Sequence, residues 1–508
     1  MTETTKSETS IKTRIIQDTS FRPVLEPLLV LFNKASEKVL PGKEYSIAYS
    51  IPGGVYGYYK NHAATDKEIE SIKKLMSNDI KQKVDFKHDV LPKEKMFRSF
   101  EGTGRKDITD LLSSQVHDND IEGLRLVHLN GCAELFVNHV SENYELLSKF
   151  KLFGFNKGFF LIADTEFYNS IMPERLELSK YLKRFDESDE TMKSIGISSI
   201  AELNEAIRDG SLPELIKISE VYQARRIGRI ADNIVSHPLK PRVVFLSGPT
   251  SSGKTTSANR LYIELKVLKK KVLIISLDNF YLPHSKIPFD HEKGIQNFEL
   301  ITALDLELFR NTINDLISGK SVFMPRYHFD GKGATPDTTA TQISSDTYII
   351  VEGIHGLNPE LWRNVMDVDS YRLYVSALNT INIHDHLPFS TSEHRLIRRL
   401  IRDQLFRGYN FNETLKRWPD VIQNEYQSIF PFQESAHAIF NSALMYEIAV
   451  FAHYAPKILN PELAENEHIR EQVKKLNRIL SLFNPINPDD IPPTSILREF
   501  IGGSSFKY

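Results

Sequence analysis

Two glycines bracket four residues and are followed by Lys-Thr in the run Gly248-Pro249-Thr250-Ser251-Ser252-Gly253-Lys254-Thr255-Thr256. That spacing suits a triphosphate. The glycines let the chain curl so that successive backbone N–H groups point inward at phosphate oxygens. Lys254 adds a point charge near the outer phosphates, and Thr255 offers a hydroxyl to Mg²⁺. A helix beginning here would aim its N-terminal dipole at the same anion. Two acids stand at the ends of apolar runs and could serve that phosphate: Asp278 after Lys271-Val-Leu-Ile-Ile-Ser-Leu, and Glu352 after Thr347-Tyr-Ile-Ile-Val. A carboxylate at the end of a parallel strand can accept a proton from an attacking hydroxyl or hold Mg²⁺. A basic stripe completes the set. Arg395, Arg398, Arg399 and Arg402 fall at i, i+3, i+4 and i+7, so a helix places them on one face. Crowded guanidinium groups repel one another unless an anion neutralises them, which points to a lid over the phosphates.

The elements that must position these residues are legible from periodicity. Val243-Val-Phe-Leu-Ser247 reads as a strand into the phosphate loop, and Leu261, Leu265 and Leu268 mark the helix after it. From 242 to about 455, strands alternate with helices, as in a parallel α/β sheet. Ser236-His-Pro-Leu-Lys-Pro241 breaks the preceding helix and marks a boundary. Upstream, Leu25 to Phe32 suggests a helix, and Tyr45 to Ile51 a strand ending at Pro52-Gly53-Gly54. Lys67 to Lys83 reads as a helix with Ile69, Ile72, Leu75 and Ile80 inward. A final helix is expected over Glu465 to Leu482.

The chain has 508 residues, enough for about three domains with large cores. A net charge of -3 gives no global bias toward nucleic acid or anionic membrane. The single cysteine, Cys132, excludes an intramolecular disulfide and fits a reducing compartment. The polar first residues carry no apolar signal core, and no run approaches a membrane span, so a cytoplasmic location is expected.

Together the motifs resemble the uridine kinase family over about 240–410. Asp278-Asn-Phe-Tyr281 is similar to the family's Asp-x-Phe-Tyr motif, which implies that Asp278 is the general base for a sugar 5′-hydroxyl. Phe289-Asp290-His291 is similar to its Phe-Asp-His segment, which implies ribose contacts from Asp290 and base packing from Phe289. The stretch Gly319 to Phe329, with Pro325, Tyr327 and Phe329, is similar to the nucleoside loop; Glu352-Gly353-Ile354 and Arg395 to Asp403 resemble the Walker-B and lid motifs. The resemblance implies ATP as donor, Mg²⁺ held by Thr255, Glu352 and Asp278, and Lys254, Arg398, Arg399 and Arg402 around the transferring phosphoryl group. Pyrimidine-specific members place a His where this chain has Lys332, and an Arg near Ala334. Lysine only donates hydrogen bonds, whereas imidazole also accepts, so the base preference is left open.

Residues 21–170 resemble the second additional domain of threonyl-tRNA synthetases, on Leu40-Pro-Gly, Gly53-Gly-Val-Tyr-Gly-Tyr58, the helix from Thr65 and Phe97 to Leu112. That domain's His pair is absent, because Asp66 stands four residues after His62. His128, Cys132 and His139, like His384 and His386, lack a convincing metal-ligand spacing. The expected fold is therefore α/β: a P-loop NTPase parallel sheet flanked by helices, preceded by an α+β synthetase-like domain. The expected divisions are a disordered tail at 1–20, the synthetase-like domain at 21–170, a helical connector at 171–240, the kinase domain at 241–455, and a helix and docking tail at 456–508. The tail Ile491 to Ser505 resembles the C-terminus of the subgroup carrying this fusion. ATP-dependent phosphorylation of a nucleoside 5′-hydroxyl is the leading expectation. The alternatives are a kinase for another small alcohol and an ATP-switched RNA-binding protein. The expected partners are nucleoside and ATP, with no membrane and no nucleic acid, and a homo-oligomer is compatible with the chain.

Overall fold

Strands that are apolar on both faces must be covered on both faces, and two of them make the centre of the sheet that carries the phosphate loop. In a computed structural model, which describes residues 22–51, 53–115, 124–129, 131–137, 143–163, 197–290, 295–328, 333–363, 365, 369–379 and 381–507, this sheet has five parallel strands. The expected tail at 1–20, residues 171–196 of the connector, and His139, His291, Phe329 and Lys332 lie outside the described residues. In spatial order the strands are Ala438–Asn441, Ser370–Ser376, Val243–Ser247, Thr347–Glu352 and Lys271–Ser276. One face packs on an apolar core of Val243, Phe245, Ile275, Phe280, Phe309, Ile313, Ile349 and Val351, to which the helix Leu306–Ile317 contributes. The helix Lys254–Val267 follows the phosphate loop and buries Ala258, Leu261 and Leu265.

Compactness divides the chain differently from the linear blocks of the sequence reading. One unit comprises 218–377, 420–443 and 492–508; the other comprises 1–217, 378–419 and 444–491. The basic helix Thr391–Arg402 and the helix Glu467–Leu480 thus group with the amino-terminal residues, while the last residues group with the parallel sheet.

The amino-terminal unit is α+β. It holds an antiparallel sheet in the order Tyr45–Ile51, Gly54–Tyr59, Gly158–Ile162, Lys151–Phe155, and a second sheet of Lys87–Val90, Arg125–Leu129 and Cys132–Phe136. The helix Asp66–Lys81 starts at a capping box in which Thr65 and Glu68 satisfy each other's backbone N–H. Its buried face is Ile69, Ile72, Met76 and Ile80, so Met76 takes the place expected of Leu75. His62 is held by the same Glu68 carboxylate at 3.2 Å.

Candidate active site at the P-loop

The phosphate loop starts where its strand ends, and its glycines are set by close approach and backbone geometry. A Cβ on Gly248 would lie 2.0 Å from the Val375 carbonyl oxygen. Gly253 has φ +79°, and Ser251 also takes a left-handed conformation at φ 59°. Such a turn favours glycine at its end because a side chain there is strained. Gly253 caps the helix that begins at Lys254, so the first helical N–H groups open onto the loop. Lys254 Nζ donates to the Pro249 carbonyl oxygen at 3.1 Å, and the Thr250 N–H donates to the buried Glu425 carboxylate at 2.9 Å.

Sheet register brings the two acids to the same edge. Glu352 pairs with Leu246 on one neighbour and Ser276 on the other, which places it beside the strand end that enters the loop. Ser276 Oγ donates to Glu352 Oε1 at 2.7 Å. The strand expected to reach Asp278 stops at Ser276, whose hydroxyl accepts from the Asp278 N–H and turns the chain into the 3₁₀ turn Leu277–Phe280. Asp278 is exposed on that turn. Burial, with repulsion from Asp278, pushes the Glu352 carboxyl up to about 7.

A stability signature follows. Glu352 titrates near 4.5 when unfolded and near 7 when folded, so its favourable contribution is complete below pH 4.5 and is lost as pH rises through 7. Glu352→Gln should therefore raise the melting temperature of the ligand-free protein at pH 8 but not at pH 4.5, with a ceiling of about 3 kcal/mol. A melting-temperature difference that is flat with pH would refute the shifted carboxyl.

Two residues expected on the acceptor side, Tyr281 and Tyr327, meet at the same turn. The Tyr327 N–H donates to Asn279 Oδ1 at 3.2 Å, and the Tyr281 and Tyr327 rings meet edge-on at 5.8 Å. Burial, then the Asp278 charge, holds the Tyr281 phenol well above its ordinary range. Phe289 and Asp290 lie on a two-residue strand paired with Ile295–Gln296, with Phe289 51% exposed. The P-loop, Asp278, Tyr281, Phe289, Asp290, Tyr327 and Glu352 thus belong to one compact unit.

The arginine stripe belongs to the other unit, and there the structure corrects the expectation. Arg398 is fully buried and forks onto Glu447, Nε to Oε1 at 2.6 Å and Nη2 to Oε2 at 2.7 Å. His394 binds the same carboxylate. Burial alone would raise the Glu447 carboxyl, but Arg398 and His394 outweigh it and hold it near 2. Arg399 pairs with Asp403 at 3.1 Å, Arg395 is buried with its guanidinium 5.6 Å over the Trp418 ring, and Arg402 is partly buried. The anions that neutralise Arg398 and Arg399 are this chain's own carboxylates, so crowding does not require a phosphate there.

Sequence reading also missed a polar network in the amino-terminal unit. Glu134 is fully buried and meets Arg105 at 2.7 Å, His386 Nδ1 at 2.6 Å and Asn33 at 2.6 Å. Asp107 takes the Arg105 fork, and the His386 ring stacks on Tyr45 at 3.9 Å. Burial would raise Glu134, but Arg105 and His386 hold it near 2. Asn33, Tyr45, Arg105, Asp107 and His386 border a cleft of ≈ 870 Å³. His384-Asp-His386 was the only signal in the sequence, and its partners are brought in from distant strands. His128 lies 3.2 Å from Asp89, and among the described residues no group of three or more His, Cys, Asp and Glu could hold a metal ion.

A P-loop on the middle strand of a parallel sheet, with Glu352 at the end of the next strand and Asp278 on the turn that follows the strand beyond it, defines a P-loop nucleotide-binding α/β domain. Residues 243–449 match the phosphoribulokinase / uridine kinase family. The chain is 30% identical over 185 residues to a uridine kinase of Mycoplasma genitalium, covering 36% of this chain and 77% of that protein. It is 27% identical to a uridine-cytidine kinase B of Dictyostelium discoideum over 48% of this chain and 92% of that protein. It is also 27% identical to a uridine kinase of Saccharomyces cerevisiae over 54% of this chain and 52% of that protein, so it spans about half of the yeast chain. The chain belongs to the phosphoribulokinase / uridine kinase family.

Proposed function

We propose that this chain transfers the γ-phosphoryl group of ATP to the 5′-hydroxyl of a ribonucleoside, uridine, cytidine or another. The observation that carries this reading is the meeting, at one sheet edge, of the phosphate loop, Glu352, and a single turn bearing both Asp278 and the Tyr281 that packs on Tyr327. The acceptor hydroxyl attacks the γ-phosphorus as its proton passes to Asp278, and the bond to the β–γ bridging oxygen breaks to release ADP. Lys254 and the loop amides hold the phosphates in line, Asp290 fixes the ribose, and Phe289 lies against the base. Catalysis of this kind rests on positioning and charge stabilisation.

Thr255, Glu352 and Asp278 would hold Mg²⁺, which neutralises charge on the phosphates. The donor set fits: all are hard oxygens, and the repulsion between Asp278 and Glu352 is what a divalent cation relieves. Mg²⁺ at kinase sites uses one or two carboxylates and the phosphates rather than a protein-only cage. Arg398 is assigned no phosphate, because its fork is closed on Glu447.

Residues 21–170 are read as a synthetase-like domain without hydrolytic chemistry, on the motifs given above and the α+β pattern of two antiparallel sheets. Among the described residues no helix is long and apolar enough to cross a membrane; a cytoplasmic location and a role in nucleoside salvage are part of the proposal. A phosphorylation screen of the common ribonucleosides with ATP and GTP tests it. The expected product is a nucleoside 5′-monophosphate. Turnover only of non-nucleoside alcohols, or ATP consumption that needs RNA and no nucleoside, would replace this reading.

A further inference from the structure

The segment from Ser495 to Phe500 packs at the phosphate loop. Ser495, Ile496, Leu497 and Phe500 are completely buried, so this segment is packed rather than trailing. Ile496 lies against Gly253, where an added Cβ would come within 2.7 Å of its Cδ1. One short turn later, Glu499 Oε2 accepts from the Thr256 hydroxyl at 2.6 Å and from the Thr256 N–H at 3.3 Å. Thr256 is buried, and its N–H is among the first of the helix that follows the loop. Such amides have no partner within their own helix and are the ones a P-loop presents to nucleotide phosphates. A carboxylate is the side chain most like a phosphate oxygen in charge and accepting capacity. Two loop amides are thus held by carboxylates, Thr250 by Glu425 and Thr256 by Glu499. Glu499 differs in that it comes from the terminal segment and adds negative charge felt at Glu352, beside the Mg²⁺ ligands proposed above.

We infer that Glu499 is a latch on the nucleotide site: its carboxylate occupies the Thr256 N–H and hydroxyl and must yield them to a nucleotide phosphate, so the terminal segment sets the affinity for ATP. Ile496 keeps the segment docked while the Glu499 side chain swings away. The inference rests on the P-loop binding ATP, as proposed above. It gives the terminal motif a physical role that local sequence does not suggest.

The experiment measures the Kd of ATP and of inorganic tripolyphosphate by calorimetry on the full chain, for wild type, Glu499→Gln, Glu499→Ala and Lys254→Ala. Glu499→Gln keeps the size and an accepting oxygen, so it reads the charge even if the alanine variant folds poorly. Both Glu499 variants are expected to bind both ligands more tightly, on the order of tenfold, the scale of one charge-assisted hydrogen bond lost from the competing state. A residue that merely supported the fold would weaken binding when removed. Unchanged or weaker binding in Glu499→Gln overturns the latch. If wild type binds ATP and Lys254→Ala does not, the nucleotide reading stands and the Glu499 variants judge the latch alone. If neither wild type nor the Glu499 variants bind either ligand, both fall.

Discussion

Asp278→Asn lowers kcat by roughly 10²–10⁴-fold, the usual worth of a positioned general base, while the Kd of ATP stays close to wild type. Asn keeps the size of Asp278 and leaves the Ser276 cap and the 3₁₀ turn in place, so the loss is chemical rather than structural. The ATP amides and Lys254 lie on a different strand end, which is why binding is spared. The same substitution has a second readout. Burial is the larger cause of the raised Glu352 carboxyl and Asp278 the next, so removing the Asp278 charge lowers that titration from about 7 without returning it to 4.5. A variant that keeps full turnover on its best nucleoside removes Asp278 from the base role. A variant that loses Mg²⁺-dependent ATP binding as well makes holding Mg²⁺ the main role of Asp278.

Glu447→Gln destabilises the protein by about 3–5 kcal/mol, the cost of leaving a buried charge without its partner. Glu447 is fully buried, it takes both arms of the Arg398 fork, and it accepts from the Leu444 N–H at 2.8 Å and from His394. Glutamine cannot satisfy these donors and carries no charge against Arg398. The pH sign is that of a depressed carboxyl: the stabilisation is present above pH 4.5 and fades as pH falls toward 2. Denaturant unfolding of the two proteins at pH 7 measures the difference. A change under about 1 kcal/mol, the range of exposed pairs, would mean that the buried fork contributes little. The result also bears on the basic helix, since a large loss marks Arg398 as part of the fold rather than a group held free for phosphate.

Much of the nucleotide site was legible because its geometry is local. Strand, turn and helix follow one another within the stretch Val243 to Val267, and glycine spacing alone sets the loop. The two strand-end acids were found from apolar runs, although the strand before Asp278 ends two residues early because Ser276 caps the following turn. Helix periodicity located Asp66–Lys81 but chose Leu75 over its neighbour Met76, since both lie near the edge of the apolar face. Spacing also put the four arginines on one helical face, but the buried partner of Arg398 is Glu447, which local reasoning does not reach. Spacing can pair Arg399 with Asp403 four residues on, but not Arg398 with Glu447.

Sequence by itself determined the phosphate loop, the acids that flank it, and the alternation of strands and helices, because each depends on residues a few positions apart. The tertiary structure alone decided which charges meet. Arg398 finds Glu447 at 49 residues' separation, Thr256 finds Glu499 at 243, and His386 finds Glu134 at 252. No spacing rule encodes such pairs. They arise where the path of the backbone closes, and burial then makes each pairing costly to leave unmade.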